Sequence, residues 1–208
     1  MKQQIFRSLL NHLGPNQFGN PHGVLGRVVG WVMGRRSSNV RRSRWAVELL
    51  DLQPGDRLLE VGCGPGVAIA AAATSGSTVV GVDRSAVMIS QARRRNHRAV
   101  LAGRVVLHTS RVEDLPTFDE PFDKALAVNS VGHWDDPIGG LTSLRRVLRS
   151  GGHIAVVTQP RTAAATAADS RAAADETVRL LGAAGFGEVR LETLDLDPPA
   201  VCAIARNP

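Results

Sequence analysis

Arg57-Leu58-Leu59-Glu60-Val61-Gly62-Cys63-Gly64-Pro65-Gly66 is the stretch around which the rest of the chain is organised. A short apolar run ends in an acid and passes into a glycine-rich turn. Residues 67 to 73 follow as a helix of small side chains. Strand, glycine turn and helix in that order form the unit that cradles a phosphate or nucleotide in doubly wound folds. Glycines allow the sharp turn and let a ligand approach the backbone where a Cβ would obstruct it. The helix start offers free N–H groups and the positive end of a dipole. Gly62, Gly64 and Gly66 are spaced G-x-G-x-G, one residue tighter than the G-x-G-x-x-G dinucleotide fingerprint. Downstream, Thr78 to Val82 read as a second strand with Asp83 at its end. An acid about 20 residues after such a turn reaches ribose hydroxyls. The plainer alternatives are a tight structural turn and, for Asp83, a cap on a helix over 85–96.

With 208 residues the chain is long enough for one sizeable core and one domain. Its ordinary apolar content predicts a soluble globular protein without a membrane span. The N-terminal residues lack a signal-peptide layout, so a cytoplasmic location is expected. Cys63 and Cys202 suffice for neither a disulfide framework nor a metal cluster, and no metal is expected. Arginine, alanine and valine dominate over lysine, as in GC-rich bacterial genomes. Charge is uneven: residues 1–50 hold eight bases against Glu48 alone, while the remainder is close to neutral. The basic character therefore belongs to an N-terminal appendage.

Apolar spacing predicts a helix over 3–13. A second helix follows Asn20-Pro21, with Val24, Leu25, Val28, Trp31 and Val32 inward and Gly34 as its stop. A third runs from about Val40 to Leu50. Strands and helices then alternate: strand 57–61, helix 66–74, strand 78–82, helix 85–96, strand 104–108, strand 122–128, helix 138–149, strand 153–158 and helix 163–184. Strands 187–194 and 200–206 are joined by a short turn and must pair antiparallel. The expected fold is α/β and doubly wound: a mostly parallel seven-stranded sheet closed by a C-terminal antiparallel hairpin. Residues 1–50 are read as a helical lid segment and 51–208 as the ligand-binding domain.

Leu59 to Gly66 resembles motif I of class I S-adenosylmethionine-dependent methyltransferases. Val82-Asp83-Arg84-Ser85 with Met88 is similar to the segment after it. Glu113-Asp114-Leu115-Pro116 resembles the loop bordering adenine, and Phe122-Asp123 the start of the fourth strand. Arg146 to Gly152 resembles the R-V-L-x-P-G-G run before the fifth strand, with Ser150 for proline. The resemblance covers roughly residues 40–206 and is nearest to the ubiquinone/menaquinone-biosynthesis type and its small bacterial relatives. It implies S-adenosyl-L-methionine as cofactor, bound by Glu60, Gly62, Cys63, Gly64, Gly66, Asp83, Arg84, Met88, Val112, Glu113 and Asn129. Asp83 would take the ribose, and Arg84 and Met88 would flank adenine. Where this family usually carries an adenine-binding acid, the chain has Arg111, which cannot accept a hydrogen bond. Glu113 or Asp114 is expected to stand in, or else the backbone N–H of Val112.

Methyl transfer from a sulfonium is an in-line displacement, so positioning and water exclusion dominate. A base is needed only where the acceptor loses a proton. The acceptor is expected beyond the fourth strand, near Asn129, Ser130, Val131, Gly132, His133 and Trp134. His133 is the candidate base, with a structural histidine as the alternative. Asn129 to Gly132 lacks the N-P-P-Y pattern of amide and adenine-amine methylation. The favoured reading is a small, lipophilic or anionic acceptor under an N-terminal lid. Arg35, Arg36, Arg41, Arg42 and Arg44 would then face solvent or attract that acceptor. An RNA methyltransferase using these arginines ranks lower, because aromatics for base stacking are few. A degenerate cofactor-binding protein and a dinucleotide oxidoreductase complete the alternatives. A homodimer is left open.

Overall fold

The computed structural model describes residues 23–162 and 164–208. The helix expected over 3–13 and its successor's cap at Asn20-Pro21 lie outside them. Seven strands form one sheet: β1 (Arg57–Val61), β2 (Thr78–Asp83), β3 (Val105–Thr109), β4 (Phe122–Val128), β5 (Leu148–Thr158), β6 (Gly187–Leu194) and β7 (Ala200–Arg206). Their order is β3-β2-β1-β4-β5-β7-β6. The first five pair in parallel, and β7 runs antiparallel to both β5 and β6. This is the expected doubly wound sheet with a C-terminal hairpin. Chain order reverses between β1 and β4, which opens a crevice at their carboxyl ends.

Buried strands alternate their side chains between two cores. Leu58, Val79, Leu126, Ala155, Val157, Cys202 and Ile204 face one side. Leu59, Val82, Ala125, Ala127, Val156 and Ala203 face the other. This period of two, with apolar residues at every step, is what a sheet covered on both faces requires. On the first face lie α2 (Ser37–Leu49), α3 (Val67–Ala72), α4 (Ala86–Arg95) and α5 (His97–Leu101), contributing Ala46, Ile69, Ile89 and Ala99. On the second lie α6 (Pro137–Val147) and α7 (Ala167–Ala183), with Leu141, Leu144 and Leu181. Thr166 opens α7 with a reciprocal capping box to Asp169.

Three elements differ from expectation. The helix over 85–96 is α4, which ends at Asn96, whose side-chain amide donates to Ala92 O (2.9 Å) and Gly66 O (3.1 Å); α5, directly after it, was not expected. Strand β5 begins at Leu148 rather than 153 and carries a register shift opposite Phe122 to Lys124. Gly152 there passes so near the carbonyl oxygens of Asp123 and Arg149 that a Cβ would lie 2.9 Å from each. The third concerns α1 (Gly23–Met33), which ends where Gly34 N–H donates to Gly30 O. Trp31 and Val28, expected inward, are 57% and 55% exposed. Gly26, Gly30 and Gly34 are buried instead, and Gly30 lies against Met88 and Gln91 of α4. A stripe of small residues lets the backbone of α1 approach α4 directly, with Val28 and Trp31 left outside. Arg35 lies 4.4 Å from the Trp31 ring centroid and covers part of that surface.

Candidate active site

A cavity of about 1120 Å³ opens at the carboxyl ends of β1, β4 and β5. It is larger than the ~300–1,000 Å³ usual for one small ligand. Its floor is the glycine turn. Gly62 and Cys63 donate their N–H groups to Val82 O (2.8 and 3.1 Å), folding the turn back against β2. All three glycines have φ between 52° and 73°, the left-handed region. Two of them also have no room for a side chain. A Cβ on Gly62 would collide with Ser130, and one on Gly66 would lie 2.6 Å from Asn96 Nδ2 and 2.9 Å from Ala92 Cβ. Around Gly64 there is open space, so its backbone faces the cavity as a cradle.

Asp83 closes one side. Its Oδ2 accepts from Gly64 N–H and its Oδ1 from Ser85 N–H, both at 2.8 Å. Each oxygen keeps a further lone pair for a hydroxyl. Burial raises its pKa, while those two N–H groups pull it back. The cap of α4 is Ser85, not Asp83. Glu60 lies beneath the turn, buried, with Oε2 lacking any partner. Burial first, then the charge of Asp83, raise its pKa to about 8, and the Ile69 N–H opposes this. The first turn of α3 thus spends an N–H on Glu60 rather than offering it to a ligand. Cys63 is buried, its thiol pushed up by burial and by Asp83 and Glu60.

Arg84, Met88, Val112, Glu113 and Asn129 all line the same cavity. Arg111 pairs with Glu113 at 3.8 Å and with Asp135, bridging the loop after β3 to the loop after β4. Asn129 adopts φ 50° and exchanges two hydrogen bonds with the Gln159 backbone (2.8 and 3.1 Å), locking the ends of β4 and β5 together. Ser130 Oγ donates to Val61 O at 2.9 Å and ties in β1. His133 belongs to a short 3-10 turn, Val131–His133, and is exposed toward the cavity. Partial burial, then Arg84 and Arg161, lower its pKa, which favours the neutral, proton-accepting form. Trp134 is half-buried, touching both the cavity and the second core.

Two residues of this wall escaped the sequence reading as individuals. Arg42, expected with its neighbours either to face solvent or to attract the acceptor, is 4% exposed, whereas Arg35, Arg36, Arg41 and Arg44 are exposed. Arg161, after β5, had no signal at all. Helix α2 explains Arg42: its inner face runs Asn39, Arg42, Ser43, Ala46, Val47, polar where it borders the cavity and apolar where it meets the core.

The methyltransferase domain model matches residues 59–156. An uncharacterised methyltransferase of Bacillus subtilis, YdaC, is 29% identical over 184 residues, covering 87% of this chain and 98% of the relative. The ubiquinone/menaquinone biosynthesis C-methyltransferase UbiE of Geotalea daltonii is 29% identical over 55% of this chain, which spans half of that relative. Among solved structures, the N-methyltransferase NodS of Bradyrhizobium japonicum, in complex with S-adenosylhomocysteine, superposes with a TM-score of 0.68 at 18% identity, over 86% of this chain and 91% of that one. The open cradle at Gly64 and the orphaned Glu60 oxygen suit a ligand with a cationic end, as S-adenosylmethionine has. With the domain match lying on the glycine turn, the switch point and β4–β5, residues 59–156 are a methyltransferase domain, and the relatives and the fold support a class I S-adenosylmethionine-dependent methyltransferase.

Proposed function

We propose that the chain methylates a small molecule seated above β4 and β5, chiefly by positioning it. The observation that carries this is the shape of the cavity. One side is the glycine turn tied to Asp83 by the 2.8 Å Gly64 N–H bond; the other is the wall of Asn129, His133 and Trp134. S-adenosylmethionine supplies an already activated methyl group on sulfur. Gly62 to Gly66 would hold its methionine portion, Asp83 its ribose, and Arg84, Met88, Val112 and Glu113 its adenine. Arg111, neutralised by Glu113 and Asp135, shapes the adenine side without accepting a bond from it.

On the acceptor side, Asn129 fixes the spacing of β4 and β5, so the acceptor is held at a defined distance from the glycine turn. Trp134 and the polar end of α2 restrict water. His133 takes a proton at an imidazole nitrogen when the acceptor must lose one, and its lowered pKa keeps that nitrogen free at neutral pH. Residues 37–49 act as a fixed wall, with α1 bracing α4 behind them. Asp83→Asn tests the cofactor half. The amide keeps the size but leaves either the Gly64 or the Ser85 N–H without its acceptor, so the melting temperature is measured beside the affinity. S-adenosylhomocysteine affinity should fall by about 2 kcal/mol, near 30-fold. Unchanged affinity by calorimetry, with an unchanged melting temperature, removes Asp83 from the site.

A further inference from the structure

The wall facing β5 carries two guanidiniums, Arg42 and Arg161, that have no carboxylate within ion-pair distance among the described residues. Arg42 gives Nη2 to Asn39 Oδ1 (2.7 Å) and Nη1 to Gln159 Oε1. Its Nε is buried and has no partner. Arg161 reaches the same Asn39 oxygen at 3.5 Å. Among the described residues, neither guanidinium is paired with a carboxylate. Burying a guanidinium against neutral amides, with a second one beside it, is costly, and the cost is relieved when an anion completes the set. Desolvation, then the charges of Arg161 and Arg36, lower the pKa of Arg42 to about 10; desolvation and Arg36 also lower that of Arg161, although Arg161 is open to the cavity. Asn39 serves both guanidiniums as a common acceptor and so holds them as a pair.

Position says which anion. Arg42 is anchored to Gln159 at the end of β5, and β4 separates β5 from β1 and its glycine turn. Two strand spacings amount to roughly 9–10 Å. Arg161 is also close enough to His133 to depress its protonation. The pair therefore stands on the side of the candidate base. We infer that Arg42 and Arg161 form an anion subsite holding a carboxylate or phosphate of the methyl acceptor, which makes the acceptor an anionic small molecule. This rests on the methyltransferase reading and narrows its substrate class.

The test uses the full chain saturated with S-adenosylhomocysteine, titrated with inorganic phosphate and with glutarate and followed by calorimetry and thermal melting. Phosphate or glutarate should bind the saturated protein, more weakly as salt rises. Arg161→Gln and Arg42→Gln should each weaken that binding about 10-fold or more, as loss of a charge-assisted contact does. S-adenosylhomocysteine affinity should change less than about threefold in either variant. Arg161→Gln lies on a loop and keeps the test valid should Arg42→Gln not fold. If the variants instead lose S-adenosylhomocysteine affinity but bind methylthioadenosine, which lacks the carboxylate, normally, the arginines serve the cofactor and the inference falls. It falls equally if the anions bind wild type and variants alike. A wild-type protein that binds no S-adenosylhomocysteine defeats the underlying reading and the inference with it.

Discussion

Glu60 shows how a single buried group ties the site to stability. Its pKa is raised from 4.5 to about 8. Between those values the unfolded chain ionises Glu60 and the native chain does not, so native stability declines as pH rises from 4.5 and levels off above 8. Glu60→Gln removes the ionisable group. Relative to wild type without cofactor, the variant's melting temperature should climb steadily from about pH 5 to about pH 8.5. An offset that does not vary with pH would show that Glu60 is not the titrating group. Glu60, the three glycines and Asp83 were legible in the sequence because they lie within one short unit whose spacing is itself the signal. Arg42 and Arg161 were not. Arg42 meets Gln159 across 117 positions, and only the folded chain distinguishes it from its solvated neighbours Arg41 and Arg44.

Among the elements, α1 departs most from hydrophobic intuition. Its contact with α4 runs through glycines, and Arg95 secures both ends of the arrangement by donating to Gly34 O (2.8 Å) and Pro65 O (2.9 Å). In an isolated helix Gly30→Leu would gain about 0.8–1.0 kcal/mol of propensity. Here a larger side chain must displace Met88, which lines the cavity, and overpacking costs about 1–3 kcal/mol. The variant should therefore melt lower and bind S-adenosylhomocysteine more weakly. Trp31→Ser, at an exposed position, should shift stability by no more than about 0.5–1 kcal/mol. The opposite ranking in thermal melts and calorimetry would mean that α1 docks through its large apolar face. Periodicity predicted this helix but turned Val28 and Trp31 inward, because a glycine stripe carries no hydrophobic signal. The end of α4 at Asn96 was legible, but the short helix α5 that follows it was not.

At the scale of the whole molecule, the mostly parallel seven-stranded sheet was legible from the alternation of elements and the closing hairpin, since short connections leave few topologies. No helix among the described residues is long and apolar enough to cross a membrane. Helices α1 and α2 contribute unequally to this assembly. A chain beginning at residue 36 loses α1 but keeps the Arg95 to Pro65 bond and α2. It should fold and retain S-adenosylhomocysteine binding within about 10-fold. Starting at residue 51 strips Ala46, Val47 and Leu50 from the first core, and that chain should not give a cooperative melt. A folded, binding protein from the second truncation would overturn the role given to α2. The cavity's lining has a longer-term consequence. Glu60 to Met88 supplies one half from a single stretch, while the other half is gathered from α2, the ends of β4 and β5, and the turn before β7. Mutational drift can therefore act on the two halves separately. Libraries confined to Ser38, Ser43, Thr162 and Leu196, all on the second half, should yield changed acceptor preference among clones whose S-adenosylhomocysteine affinity is inherited intact.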